Sequence, residues 1–297
     1  MDWLGRVRGL RRWARAGERA PHKPLLLLYA LSRFQRDAGA ALAFTDVERD
    51  LRRLLDAYGP RRATSPGYPF HHLVSDGLWE VRTESGHGSP GSGVGALRAE
   101  GATGRLAPGL REALRRDPAL LGQLAHALLD AHFPPSLHAD IAADAGLDLA
   151  GAARPAWPKE PDGRRRDPAL RGRVLAAYEF RCAFCGYDGL LGGTTVGLEA
   201  AHVRWWALAG PDDPANGLCL CALHHKLLDK GVLGLDAGRR IMVSREFTGR
   251  SDTARTQVIA LAGRELAGPQ PGAEPVAAEH IAWHTAQVFR GEPRLAA

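Results

Sequence analysis

Between residues 182 and 229 the chain concentrates side chains that bind metals. Cys182 and Cys185 form Cys-Ala-Phe-Cys, and Cys221 and His224 form Cys-Ala-Leu-His, each with a two-residue gap. Two such knuckles of soft and borderline ligands suit one tetrahedral structural zinc ion. All four cysteines lie in this stretch, and clustered cysteines in a reducing compartment favour metal over disulfide. Cys219 competes with His224 for the fourth place, and spacing leaves both open. His225 follows directly. Neighbours on a helix point about 100° apart, so a His224 that faces zinc turns His225 elsewhere. Asp229, four residues on, shares the face of His225. One imidazole and one carboxylate make half of a catalytic site for magnesium or manganese, with positions left for water and phosphate oxygens.

These side chains need a strand, a loop and a helix to position them. VGLEAAHV alternates like a strand that ends at His202. The loop RWWALAGPDDPANG carries Asn216, a helix begins near Cys221, and GVLGLDAGRRIMV reads as a hairpin. PALRGRVLAAYEF and EHIAWHTAQVF read as flanking helices. Strand-His202, loop-Asn216 and helix-His225 together resemble the HNH nuclease family over roughly residues 167–245. The resemblance implies a ββα-metal fold in which His202 is the general base. It also implies that Asn216 hydrogen-bonds the backbone that orients His202, and that His225 and Asp229 hold the divalent ion. Many HNH nucleases carry Asp or His immediately before the base. This chain has Ala201 there, and Glu199 is the nearest substitute.

The first half reads as a compact α+β unit. PHKPLLLLYALSRFQRDAG predicts a buried helix with Pro24 in its first turn. FTDVERDLRRLLDAYGP predicts a second, with Thr45 as N-cap, Glu48 completing a capping box and Pro60 ending it. ATSPGYPFHHL is rich in turn residues, GLWEVRT predicts a strand pair, SGHGSPGSGVG a loop, and two helices follow near residues 111–133. Three stretches, PHKP, YGPRR and GYPFHHL, together resemble the sulfur-binding domain of McrA-type restriction endonucleases, which cut DNA whose backbone carries sulfur in place of a non-bridging oxygen. By that resemblance Tyr68 and Pro69 line a sulfur pocket with His72 nearby. His22 and Lys23 would hold the adjacent backbone or base edges, and Arg61 and Arg62 would read guanine in the major groove.

The net charge of +6 on 297 residues points to a polyanionic partner, nucleic acid before membrane. Lysine occurs only at positions 23, 159, 226 and 230, a bias that GC-rich coding also produces, so charge is a modest clue. The longest apolar run, LLLLYAL, is too short for a bilayer, and no targeting signal precedes it, which predicts a cytoplasmic protein. The expected organisation is a sulfur-reading α+β domain at 1–150, a proline-rich linker at 151–166 and an HNH domain with structural zinc at 167–297. The expected function is a type IV-like restriction endonuclease acting on double-stranded phosphorothioated DNA, with a homodimer left open. The alternatives are an HNH nuclease directed to methylated or unmodified DNA, and a zinc-stapled DNA-binding protein that does not cut.

Overall fold

The computed structural model describes residues 2–10, 21–59, 64–150 and 166–295. The chain divides into two compact units, Met1–Trp157 and Pro158–Ala297. Arg61, Arg62, Pro60 and the expected linker up to residue 165 lie outside the described residues.

The first unit is built around one helix. α1 (Trp3–Gly9) is capped by Asp2, whose carboxylate accepts from the Gly5 N–H at 2.8 Å. α2 (His22–Arg36) buries every residue from Pro24 to Ser32, which is why LLLLYALS shows no polar period. α3 (Phe44–Tyr58) buries Phe44, Val47, Leu51, Leu54, Leu55 and Tyr58 at amphipathic spacing. The expected capping box does not form: Ala43 is the N-cap, and Thr45 lies inside the helix. Glu48 is drawn instead to Arg98 by hydrogen bonds of 2.7 and 2.8 Å, with Arg52 at 2.9 Å. Such charge-assisted pairing outweighs a bond to a backbone amide.

The stretch expected as a turn forms α4 (Gly67–His72) and a 3-10 turn, Leu73–Asp76. Its prolines sit where a helix tolerates them, Pro66 at the N-cap and Pro69 in the first turn. Phe70 and Leu73 enter the core with no exposure. Four antiparallel strands, β1 (Leu42–Ala43), β2 (Trp79–Thr83), β3 (Gly86–His87) and β4 (Thr103–Leu106), run in the order β1-β4-β2-β3. α5 (Val94–Ala99) follows the glycine-rich loop, and α6 (Pro108–Arg116), α7 (Ala119–His132) and α8 (Pro135–Ala145) close the unit. α2 packs on α3, α4, α7 and α8, and each leucine it buries contributes roughly 1.5–3 kcal/mol.

In the second unit α9 (Leu170–Ala177) leads into the first cysteine knuckle. β5 (Leu190–Leu191) and β6 (Thr194–Thr195) form a hairpin across Gly192 and Gly193, both at positive φ. β7 (Leu198–His202) pairs antiparallel with β8 (Gly217–Cys221), setting His202 opposite Gly217 and Leu198 opposite Cys221. α10 (Ala222–Asp229) starts directly from Cys221, and α9 packs on the β7–β8 pair. β9 (Leu233–Leu235) and β10 (Ile241–Val243) form the expected hairpin. α11 (Asp252–Gln257) and α12 (Ala278–Gln287) follow. The core draws Val174, Leu218, Leu220, Leu228, Leu233, Ile241 and Ile281 together.

Candidate active site and metal cluster

The first knuckle is a tight turn: the Gly186 N–H donates to the Cys182 carbonyl at 2.7 Å, with Gly186 at φ 77. β8 ends at the second knuckle, so Cys182, Cys185, Cys221 and His224 bring their ligand atoms within 4.8 Å of one another. His224 Nδ1 lies 3.5 Å from Cys182 Sγ and 3.2 Å from Cys221 Sγ. Bonds of about 2.3 Å to sulfur and 2.0 Å to nitrogen give a tetrahedron edge of about 3.5 Å, so the spacing fits one shared ion. His224 Nε2 faces the Gln257 carbonyl at 2.7 Å. A carbonyl only accepts, so Nε2 holds the proton and the Nδ1 lone pair is aimed at the thiols. The hydrogen bond from Cys221 pulls the Cys182 thiol down to about 3, while the same bond and burial push Cys221 up. Cys219, the rival fourth ligand, lies outside the cluster in the apolar core, its thiol pushed up to about 11 by burial and by Cys182.

His202 closes β7 with its side chain 16% exposed, and its Nε2 lies 2.7 Å from Asp212 Oδ1. Burial lowers its affinity for a proton below that of a free imidazole, although Asp212 opposes the shift. Asn216 has no solvent exposure. Its Oδ1 accepts from the Arg204 N–H at 2.8 Å, and its Nδ2 donates to the carbonyls of Arg204 at 2.9 Å and Pro211 at 3.0 Å. Its own carbonyl accepts from the Val203 N–H at 2.9 Å. Asn216 therefore pins the two residues after His202 to the far side of the loop. The loop doubles back so closely that a Cβ at Gly210 would stand 1.8 Å from the Arg204 carbonyl oxygen.

On α10, His225 lies between two carboxylates, with Nδ1 2.5 Å from Glu199 and Nε2 3.2 Å from Asp229. Burial opposes charge on the ring, but Asp229 and Glu199 outweigh it and raise His225 to about 10. Ala201 is 1% exposed, inside the core. The Glu199 carboxylate reaches the ring from the same strand, held below its usual range by the His225 bond.

In the first unit, α2 and α4 gather rings at one place. Tyr68 lies 5.0 Å from His22 and 4.3 Å from His72 between centroids. Tyr68 is 42% exposed, whereas Pro69, expected beside it as pocket wall, is buried, because neighbours on α4 point about 100° apart. Burial lowers His22 to about 4, with Lys23 and His72 adding to the shift, and its Nδ1 is buried without a partner among the described residues. Burial also lowers His72. Lys23 is engaged at 2.7 Å with Asp76, both side chains largely covered. The glycine-rich loop packs on α4: His71 Nδ1 meets Ser89 Oγ at 2.8 Å, and a Cβ at Gly67 would stand 2.4 Å from the Ser92 carbonyl oxygen.

The sequence reading missed Asp212 and Ser89. The acid pair Asp212-Asp213 in the loop after His202 was the available signal for the first; Ser89 had none beyond its place in a glycine-rich loop.

The β7–β8 pair and α10, with His202 at the end of β7, Asn216 in the turn before β8 and His225 on α10, form a ββα arrangement beside a cysteine–histidine cluster, and a separate α+β unit precedes it in the chain. The HNH endonuclease family matches residues 182–236. The ScoMcrA-like DNA sulfur-binding domain matches residues 1–150, half of the chain, and the chain belongs to that family. Among solved structures it is similar to the type IV phosphorothioation-dependent restriction endonuclease ScoMcrA, at 23% identity and TM-score 0.41 over 55% of this chain and 32% of that one. It is similar to the sulfur-binding domain of ScoMcrA complexed with phosphorothioated DNA, at 24% identity and TM-score 0.42 over 51% of this chain and 98% of that one. The sulfur-binding domain of SprMcrA in such a complex is 28% identical, with TM-score 0.41, over 51% of this chain and 95% of that one. The match thus spans about a third of full-length ScoMcrA. No curated protein matches the chain. No described helix is long and apolar enough to cross a membrane.

Proposed function

We propose that this protein is a restriction endonuclease that binds double-stranded DNA bearing phosphorothioate linkages and hydrolyses phosphodiester bonds nearby. Residues 1–150 are the reader, 151–166 the linker and 167–297 the nuclease. The observation that carries this reading is the joining, in one chain, of a sulfur-binding domain to an HNH domain with His202, Asn216, His225 and Asp229 all in place.

Phosphorothioate keeps its negative charge, so arginine or lysine alone cannot separate it from phosphate. Sulfur is larger and more weakly hydrated than oxygen. An apolar wall accepts it, while an oxygen there loses water hydrogen bonds without replacement. The exposed ring of Tyr68, flanked by the neutral rings of His22 and His72, supplies such a wall. Lys23 at the start of α2, held by Asp76, places a donor beside it.

In the nuclease, His202 enters the reaction uncharged at neutral pH and takes the proton of the attacking water. Asn216 fixes the backbone that aims it. His225, Asp229 and Glu199 form a nitrogen and oxygen donor set that suits magnesium or manganese. Such an ion, when bound, stabilises charge on the phosphoryl oxygens and the leaving group. Cys182, Cys185, Cys221 and His224 would hold zinc, stapling the knuckle before β5 to the start of α10.

The test is cleavage of matched plasmids with and without phosphorothioate, in manganese. Cutting confined to the sulfur-bearing plasmid supports both assignments. Equal cutting of both removes the sulfur reader, and no cutting of either makes the protein a binder.

A further inference from the structure

We infer that Asp212 is the positioning residue for His202: it holds the ring in the tautomer that leaves Nδ1 free to take the proton from water. The inference rests on the reading of His202 as general base.

The geometry is closed on both sides of the carboxylate. Asp212 Oδ1 meets His202 Nε2 at 2.7 Å, and Oδ2 accepts from the Asp167 backbone N–H at 2.7 Å. Arg173 anchors the same corner, donating to Asp167 Oδ2 at 2.6 Å and to the Asp212 carbonyl at 3.4 Å. A carboxylate only accepts, so Nε2 must carry the ring proton and Nδ1 the lone pair. The ring meets Asp212 through Nε2, on the side away from Nδ1. Besides Asp212, the charged groups that face the ring are Arg166 and Asp229. In the step itself, Nδ1 takes one proton from water as its oxygen bonds to phosphorus. The bond from phosphorus to the leaving oxygen breaks, and that oxygen keeps the electron pair and gains a proton from solvent. The imidazolium that forms donates to Asp212 through Nε2.

Asp212→Asn separates this role from simple support. The Asp167 N–H needs an acceptor, so the amide oxygen of Asn turns to it and the amide N–H₂ faces His202 Nε2. Nε2 then becomes the acceptor and the proton moves to Nδ1, which can no longer act as base. Cleavage of phosphorothioated plasmid by the full chain should slow roughly 10²–10³-fold in single turnover, with DNA affinity and melting temperature unchanged. Ring ¹⁵N shifts of His202 should change from the Nε2–H to the Nδ1–H pattern. Asp212→Ala, which removes a group favouring the charged ring, should move the acidic limb of the pH–rate profile to lower pH, a displacement that mere loss of folded protein does not produce. If His202→Ala abolishes cleavage while Asp212→Asn stays within twofold of wild type or keeps the Nε2–H pattern, this inference falls alone. If His202→Ala cuts like wild type, the base assignment falls and takes the inference with it.

Discussion

Asn216→Ala tests the clamp that shapes the nuclease loop, and its size follows from three hydrogen bonds. The substitution removes the acceptor of the Arg204 N–H and the donor to the carbonyls of Arg204 and Pro211. Each such bond contributes about 1 kcal/mol net, and each buried group left unpaired costs about 1–3 kcal/mol. The three partners are only part-buried, which places the total near the lower bound, about 3–5 kcal/mol. That is a large share of the 5–15 kcal/mol typical of a whole domain. Urea unfolding of the full chain at saturating zinc, followed by tryptophan fluorescence, reads the loss, since Trp205 and Trp206 sit in the same loop. Asn216→Asp should do at least as much harm, because an isosteric carboxylate turns a donor toward two carbonyl oxygens into an acceptor. A loss under about 1 kcal/mol in Asn216→Ala would refute the reasoning: water would then be serving these groups, and Asn216 would not hold His202 in place.

Stripping the cysteine–histidine cluster with a strong chelator should unfold the second unit, because structural zinc supplies roughly 10–16 kcal/mol in small sites; an unchanged melting curve would show that no metal holds it. Manganese should bind more tightly as pH rises, by up to about tenfold per pH unit below 10, because the ion must displace a proton from His225, whose affinity for it is raised to about 10. The same linkage predicts that the metal-free protein loses stability as pH climbs from about 6.5 toward 10, since the native state then holds a proton that the unfolded chain has given up. Calorimetry between pH 7 and 8.5 checks the first point, and pH-independent affinity would contradict it. Tyr68→Ala should bring the dissociation constants for sulfur-bearing and ordinary DNA toward each other, and equal weakening on both would mean that the ring packs without reading sulfur.

The parts that were legible in the sequence are those whose geometry is set within a few residues. A two-residue gap makes a knuckle, four residues along a helix put Asp229 beside His225, and alternation ends a strand at His202. None of these depends on where the rest of the chain goes. The failures share the opposite character. Thr45 and Glu48 have the right spacing for a capping box, but Arg98, fifty residues away in the chain, competes for the same carboxylate and wins on charge. GYPFHHL has the composition of a turn, yet Phe70 and Leu73 gain more from the core than the prolines lose, so the segment winds into α4 and carries Pro69 inward. The choice between Cys219 and His224 is of the same kind, because Cys219 stands two residues before Cys221 and only the packing of the core against β8 takes it out of reach.

Asp212 is the sharpest instance. Nine residues of loop lie between it and His202, and nothing in their spacing brings the two together. Asn216 holds Arg204 and Pro211 on opposite sides of that loop, and Gly210 permits the close return between them. With both conditions met, the residue after Pro211 arrives at the ring. On the proposed reading of His202 as base, Asn216 would act on it by two routes: it holds the backbone after His202, and it brings the Asp212 carboxylate to Nε2. Loss of Asn216 should accordingly shift the ¹⁵N tautomer signature of His202 as well as its position, whereas a clamp that served only the backbone would leave the tautomer unchanged.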